Sequence, residues 1–521
     1  MDTAASGTPT LPNGPVSTVR GVTMQKISVL ECAACFLVCV AVPAGAAEWT
    51  KSASVTPGVT YTDNVCLSAD NEQDQWIGTV TPAGTVEADG NRANLKVDGS
   101  VEVNTLSDSK LENLGCTGGY LGNREQFAPR LNGSADAILV DNWLFMDATA
   151  YIDQNQVTPY ASGGGDSFNR TGNTNTTYNY SVSPYIARRF KNLAEMNLRY
   201  TWDEQYNTAN AVRDSTEESA QAILGSVAGE SRYIWGVQGD YSNVSYSGSP
   251  VVSENNQDSE LKSAQINQGY QLDRKWQLNG FYGQEWNDFV STRDDIDGTF
   301  WDVGLRWTPN ERITVDAGIG DRFFGNNPRF AIDYTHKRSA LKASYAKTLT
   351  YDRDIRTLSD PPPLDPGLPS PPGVDPGVTT ISDSPILDER YTLGYYWQGL
   401  RTGVGVSGFQ SEQTQESGTL NVFRESIYRG VSVSATRSLS PQTSFTARLN
   451  LNEQEPKNSN SNNDGGFIAD SKTWSGLLGV NRQLSQRTNL GLNYLYTDRE
   501  SDNEFNTYTE KQITLDLRVD L

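Results

Sequence analysis

The chain has 521 residues, of which 36% are hydrophobic and 10% aromatic, with 24 Tyr, 11 Trp and a formal charge of -21. A mean hydropathy of -0.54 is too polar for a helical membrane protein, and the acidic balance excludes nucleic acid, whose phosphate backbone attracts basic surfaces. No shift in composition divides the chain into soluble units, so length alone leaves the domain count open.

The only long apolar stretch lies near the amino terminus. Lys26 opens it, Ile27 to Val42 form its body with Glu31 as an interruption, and Ala44-Gly45-Ala46 supplies small residues ahead of Glu48. This order reads as a cleaved secretory signal over residues 24–47. Met24 is then the natural start, and residues 1–23 are a polar extension without structure. A helical anchor would need about 20 uninterrupted apolar residues. Cys32, Cys35 and Cys39 leave with the signal. A lipoprotein site does not fit, because Val38 precedes Cys39 and Cys35 comes too early in the run. Cys66 and Cys116 remain, and in an oxidising compartment they form a candidate disulfide; two unpaired thiols are the alternative.

From Trp49 and Ala53 onward the apolar residues recur at every second position, almost from the expected cleavage site, which leaves no room for a plug domain ahead of the strands. Ala194, Met196, Leu198, Tyr200 and Trp202 alternate with polar residues. Trp301, Val303, Leu305 and Trp307 then pair across Pro309-Asn310-Glu311 with Ile313, Val315, Ala317 and Ile319. The same pattern returns at Leu341 to Tyr345, Phe445 to Leu451 and Leu490 to Tyr496. It closes the chain through Ile513, Leu515, Leu517, Val519 and Leu521. Period two is the signature of strands with one apolar face. Tight connections near Arg189–Asn192, Asp273–Lys275, Thr308–Glu311, His336–Arg338, Ser438–Gln442 and Leu484–Arg487 alternate with long polar ones. The long ones include Asn64–Asp74, Ser107–Glu125, Gln154–Thr176 and Arg353–Asp388.

That sorting predicts an all-β fold over residues 48–521: a single transmembrane antiparallel up-and-down β-barrel of about 22 strands, with 18–22 compatible. It has short periplasmic turns, long external loops and both termini in the periplasm of a Gram-negative cell. A secreted soluble sandwich or β-helix is the competing architecture, and it would bury its apolar faces against protein. The stretches Ser219–Val227 and Leu420–Ser426 are the faintest strands. Trp276, Trp286, Trp301, Trp307 and Trp397 are expected in aromatic belts at the lipid boundary. Cys66 and Cys116 fall in the first two external loops, which are neighbours. The Pro-rich loop at 353–388, with Asp360-Pro361-Pro362-Pro363 and Pro371-Pro372-Gly373, reads as an external linker, with inward folding to narrow a pore as the alternative.

Chemical motifs are sparse. His336 is the single histidine, which excludes multi-histidine metal centres, and it falls at a periplasmic turn rather than the outer rim. Gly403-Val404-Gly405-Val406-Ser407-Gly408 has dinucleotide-binding spacing but lacks the following helix that the motif requires. Asp294-Asp295-Ile296-Asp297-Gly298 lacks the oxygen ligand at Arg293 and the glutamate at Gly304 that a helix-loop-helix calcium site needs. Asp302, Arg306, Asp316, Lys342, Arg448, Asp516 and Arg518 face the lumen and carry both signs. No catalytic, cofactor-binding or metal residues are expected, and the protein reads as no enzyme.

The opening strand Val55-Thr56-Pro57-Gly58-Val59-Thr60-Tyr61-Thr62-Asp63-Asn64-Val65, together with Asn197 to Trp202 and the terminal strand, resembles the outer-membrane β-barrel family associated with PEP-CTERM and exosortase systems. Leu521 departs from the Phe or Trp that ends many such barrels. The resemblance implies a role in exporting or retaining surface polysaccharide or sorted proteins, and brings no catalytic residues. The expected function is therefore a porin-like channel or export conduit whose partners are outer-membrane lipid and a polysaccharide or exported protein. The alternative is a non-conducting docking barrel that binds a surface partner through acidic external loops.

Overall fold

In a computed structural model the described residues are 47–70, 72–108, 127–163, 168–169, 171–227, 229, 231–247, 258–357, 382, 384–416, 425–457 and 469–521. The expected extension and nearly all of the signal lie outside them, as do Cys116 and most of the Pro-rich stretch.

Strands follow one another round a closed wall. The first half comprises β1 (Glu48–Thr62), β2 (Gln75–Asp89), β3 (Ala93–Leu106), β4 (Phe127–Val140), β5 (Leu144–Gln156), β6 (Thr174–Phe190), β7 (Ala194–Asn207), β8 (Asp214–Gly225), β9 (Tyr233–Ser247), β10 (Ser259–Gln271) and β11 (Trp276–Asp288). Then come β12 (Gly298–Asn310), β13 (Ile313–Arg322), the two-residue β14 (Gly325–Asn326), β15 (Arg329–His336) and β16 (Ser339–Thr350). The helical turn α1 (Asp352–Arg356) precedes β17 (Ile386–Gln398), β18 (Thr402–Gln415), β19 (Glu425–Ser440), β20 (Thr443–Pro456), β21 (Ser471–Ser485), β22 (Thr488–Ser501) and β23 (Tyr508–Asp520). Since β14 and β15 both pair with β13, the wall is a closed antiparallel barrel of 22 strands, as the alternation predicts. A soluble sandwich of two sheets is ruled out by this single sheet.

Closure is made by the terminal strand. β1 and β23 pair from Ser54↔Asp520 to Thr62↔Gln512, which leaves no sheet edge unpaired. Both termini therefore lie at the end of the short turns, the periplasmic end. At a strand spacing of about 4.8 Å and a tilt of about 40°, 22 strands enclose a backbone cylinder roughly 44 Å across.

The two faces of the wall sort by chemistry. Val303 is 51% exposed and Leu449 61% on the outside, where lipid covers them, whereas Asp302 is buried on the inside. The faint strand near Ser219 proves to be β8, beginning at Asp214. The other faint strand begins at Glu425, and residues 417–424 lie outside the described set. Periplasmic turns are tight enough to force non-glycine residues into the left-handed region, with φ 60 at Asn142, 51 at Lys191 and 42 at Lys337. Register slips at Ile138/Val140, Trp307/Asn310, Ser438/Ser440 and Gln483/Ser485 place bulges at the same end.

Candidate functional site at the outer mouth

The lumen is lined with amides, hydroxyls and balanced charges. Across β5 to β7 an amide ladder joins Asn175 Nδ2 to Asn155 Oδ1 at 3.0 Å and to Asn207 Oδ1 at 2.9 Å. On the facing wall, Arg329 lies flat over Gly304 and Gly318, donates to Asp302 at 2.8–2.9 Å and to Asn279 Oδ1 at 3.2 Å, and also pairs with Asp316. A Cβ on Gly304 would come within 2.3 Å of the Arg329 Nη2, so glycine here makes room for a guanidinium against the wall. Arg306 Nε donates to Asp316 at 3.0 Å, so the inward charges form a compensated network.

Two connections fold inward over this lumen. The first, described at 157–163, 168–169 and 171–173, starts from a small apolar cluster of Val157, Ala209, Ala211 and Val212. It then places the buried Tyr160 against β19, where the hydroxyl donates to Ser426 Oγ at 2.7 Å and meets Tyr428 Oη at 3.3 Å. Burial pushes the Tyr160 phenol above its usual range. Arg499 of β22 donates to the Pro159 and Tyr160 carbonyls at 3.0 and 3.2 Å. Phe168 reaches a second cluster with Val65, Cys66, Ile77 and Leu106.

The second is the start of the longest loop. Of the loop 353–388, read as an external linker or an inward-folding constriction, the described start is buried at Arg353, Ile355 and Arg356, beside buried Asp352, so it begins by entering the barrel, and β17 resumes at Ile386. Arg353 pairs with Asp203 of β7. Arg356 Nε contacts both Asp352 oxygens at 3.0 Å, while its Nη1 and Nη2 donate to the Gln156 carbonyl at 2.7 Å and the Val157 carbonyl at 3.1 Å. Segment 156–160 is thus gripped by two arginines, one from α1 and one from β22. Between α1 and the β16–β17 wall lies a cavity of ≈ 250 Å³ bordered by Thr348, Thr350, Asp354, Ile355, Asp388 and Arg390. Burial and the neighbouring Glu217 carboxylate push Asp354 up to about 7, against the opposing pull of Arg353. Its side chain keeps 45% of its surface open, which tempers the shift. Burial lowers the Arg353 guanidinium and raises the Tyr351 phenol.

The remaining sequence candidates are placed as follows. Trp276 and Trp307 stack at 5.4 Å on the outside of the wall near its periplasmic end. Trp286, Trp301 and Trp397 also point outward, 48%, 41% and 38% exposed. Cys66 is disulfide-bonded, and Cys116 lies outside the described residues. His336 ends β15 at the periplasmic turn, its ring 6.5 Å from that of Tyr334. Gly403 and Gly405 lie within β18, opposite Gln398 and Tyr396, with no helix after them. Asp297 Oδ1 accepts the Asn287 amide at 2.6 Å, and Asp295 Oδ1 accepts the Asp297 amide at 3.1 Å. Among the described residues no group of three or more His, Cys, Asp or Glu is placed to hold a metal ion.

Sequence reasoning missed the two arginines that grip 156–160. A five-residue helix is too short to show periodicity, and the one local signal was the i,i+4 pair Asp352 and Arg356.

These features define an outer-membrane β-barrel. No family model matches the chain, and no curated protein matches it in sequence. Among solved structures, the fold is similar to the FrpB iron transporter of Neisseria meningitidis, F5-1 variant, at 10% identity over 91% of this chain and 83% of that one, TM-score 0.53. The F3-3 variant gives 9% identity, 91% and 82% coverage and a TM-score of 0.52. The siderophore receptor PirA of Pseudomonas aeruginosa gives 9%, 90% and 80% with a TM-score of 0.46. At such identities the likeness is one of fold.

The resemblance to the PEP-CTERM and exosortase-associated family is therefore corrected. No family model supports it, and the solved structure its fold resembles at a TM-score of 0.53 is by name an iron transporter, FrpB. The residues that carried it have another reason to be there. Thr62 Oγ1 donates to Glu510 at 2.7 Å, Asp63 accepts the Lys511 amide at 2.7 Å, and Asn64 Nδ2 donates to the Thr509 carbonyl at 3.0 Å. Thr62-Asp63-Asn64 seals the seam between the first and last strands. Polysaccharide and exported protein as partners rested on that resemblance and go with it. Export and docking both lack support from the comparisons.

Proposed function

We propose that the protein is a non-enzymatic transport channel of the outer membrane, admitting small hydrophilic solutes through a lumen that α1 and segment 156–160 narrow from the outside. The observation that carries this reading is the cross-lumen docking of α1: a wall roughly 44 Å across needs internal obstruction to discriminate, and the chain supplies it from its own loops. The polar lining suits water-borne solutes. FrpB is by its name an iron transporter; the lumen of this chain favours transport without specifying that cargo. No cofactor is needed, and the lipid of the bilayer is the constant partner.

The mature chain is proposed to start near Glu48 after removal of the signal. Trp276, Trp286, Trp301, Trp307 and Trp397 are assigned to aromatic belts, and Cys66 is paired with Cys116. Planar-bilayer recording of the refolded full barrel tests the channel reading. Discrete conductance steps and liposome swelling in small sugars are expected. A barrel that migrates as folded yet passes neither ions nor sugars refutes it.

A further inference from the structure

The periplasmic rim differs from the outer rim in how it treats its cations. At the outer rim, Lys472 apart, they are held by carboxylates: Lys457 contacts Glu412 at 2.5 Å and Glu425 at 2.7 Å, Arg429 reaches Glu453 at 3.4 Å, and Lys511 reaches Asp63 at 3.5 Å. At the periplasmic end Arg92 pairs with Asp141 and Arg189 with Glu195. The other turns there expose Lys191, Arg274, Lys275, Arg401, Arg437, Arg482 and Arg487, none in an ion pair among the described residues. Acids stand at this end too: Glu48 faces Asp89 where β1 meets β2, Asp520 pairs with Arg518 at 2.9 Å, Asp273 spends its carboxylate on the amides of Lys275 and Trp276 at 2.7 and 2.9 Å, and Glu311 follows β12. In a chain of charge -21, this concentration of free cations at one end is a sided feature.

A second feature coincides with it. Turn after turn carries an exposed leucine beside its cation. Leu193 is 75% exposed near Lys191, Leu272 53% beside Arg274, and Leu400 89% beside Arg401. Leu439 and Leu484, 55% and 53% exposed, stand near Arg437 and Arg482. Both are the extra residues where the register slips, between Ser438 and Ser440 and between Gln483 and Ser485. A bulge releases its residue from the ladder and re-aims it. Just above, Trp143 carries the Arg188 guanidinium 4.9 Å from its ring centroid. Leucine, tryptophan and free cation together match the boundary between acyl chain and phosphate.

We propose that this rim is a binding girdle for anionic phospholipid headgroups of the inner leaflet, in which the bulged and turn leucines enter the acyl region and the unpaired arginines and lysines hold the phosphates. The occupant is lipid because the girdle continues the lipid-facing wall and is complementary in charge to an anionic membrane surface. It holds whether or not the lumen conducts.

The test uses the full barrel refolded in phosphatidylcholine vesicles, with tryptophan quenching by brominated phosphatidylglycerol compared with brominated phosphatidylcholine. At low salt the anionic lipid is expected to be preferred about fivefold, the factor that one basic residue near the surface contributes. That preference should fall towards one at 0.5 M salt, where the screening length shrinks to roughly 4 Å. A variant with Lys191, Arg274, Lys275, Arg401, Arg437, Arg482 and Arg487 all changed to Gln should show no preference at low salt. A ratio of one for the unmodified barrel at low salt overturns the proposal, and is the outcome if the cations serve an acidic soluble partner instead. So does a preference that survives the substitutions. Should the variant fail to fold, the salt dependence of the unmodified barrel still decides.

Discussion

Arg356→Ala should open the barrel without loosening its wall. Arg356 is 6% exposed and makes two contacts to Asp352 and two to the backbone of 156–157. Hydrogen bonds to a charged group contribute about 1.5–3 kcal/mol each, and removing one partner of a buried ion pair costs about 3–5 kcal/mol. The released loop recovers solvation for its own groups, so a net loss of about 3 kcal/mol in docking is reasonable, or about 150-fold in the docking equilibrium. If α1 is undocked about 0.5% of the time in the parent, it becomes undocked roughly two-fifths of the time in the variant. Single-channel recording should show a higher conductance level occupied for much of the trace, while heat-modifiable migration stays unchanged because no ladder bond is touched. The double variant with Asp352→Asn should cost less than the sum of the two singles, since the pair is one interaction. An intact Arg356→Ala barrel with the parent's conductance histogram would show that α1 does not obstruct the lumen.

Asp354 supplies a pH dependence of known sign. Docked, its carboxyl is pushed up to about 7, whereas an undocked aspartate sits near 3.8. The docked state thus binds the extra proton between those values, so docking strengthens as pH falls below about 7, weakens as pH rises towards it, and levels off above it. Open probability should increase from pH 6 to pH 8, and Asp354→Asn should hold the low-pH behaviour throughout; a flat profile in the parent refutes this. Val303→Arg sets a charge against the middle of the apolar band and should destabilise the barrel by about 2–4 kcal/mol, read as a lower urea midpoint in vesicles. Gly304→Ala drives a Cβ to 2.6 Å from Asn279 Oδ1 and 2.9 Å from the Ala317 carbonyl. Overpacking of this kind costs about 1–3 kcal/mol, measurable in the same unfolding assay. Alkylation of the mature chain without reductant should label no cysteine, and Cys116→Ser should make Cys66 reactive.

The wall was legible because a strand facing lipid on one side and water on the other must alternate at every residue. Trp301 to Trp307 and Ile313 to Ile319 therefore announced a hairpin, and the sorting of short and long connections announced closure with the termini at one end. The bulges were not legible, since Leu439 and Leu484 simply look like further apolar positions near a turn. Nor was α1: Arg353, Asp354 and Arg356 fell in the loop read as an external linker, and only contacts with Asp203 and the 156–157 carbonyls hold Arg353 and Arg356 buried. Long-range polar contacts leave no period in a sequence. Thr62-Asp63-Asn64, part of the stretch behind the resemblance, has a structural task in sealing the seam to β23, and that task carries no family information.

The lumen and the rim place opposite demands on charge. Inside, Arg329, Arg353 and Arg356 all have carboxylate partners within the chain, as desolvated cations must. At the periplasmic rim Arg92 and Arg189 are paired, but Lys191, Arg274, Lys275, Arg401, Arg437, Arg482 and Arg487 have no ion pair among the described residues, where water is available and solvation removes that requirement. Cations left unpaired where carboxylates are abundant elsewhere in the chain imply a partner outside it, and pairing inside the lumen implies a structural task. The same division explains why neutralising rim cations should alter lipid preference with little effect on conductance, whereas neutralising Arg356 should do the reverse.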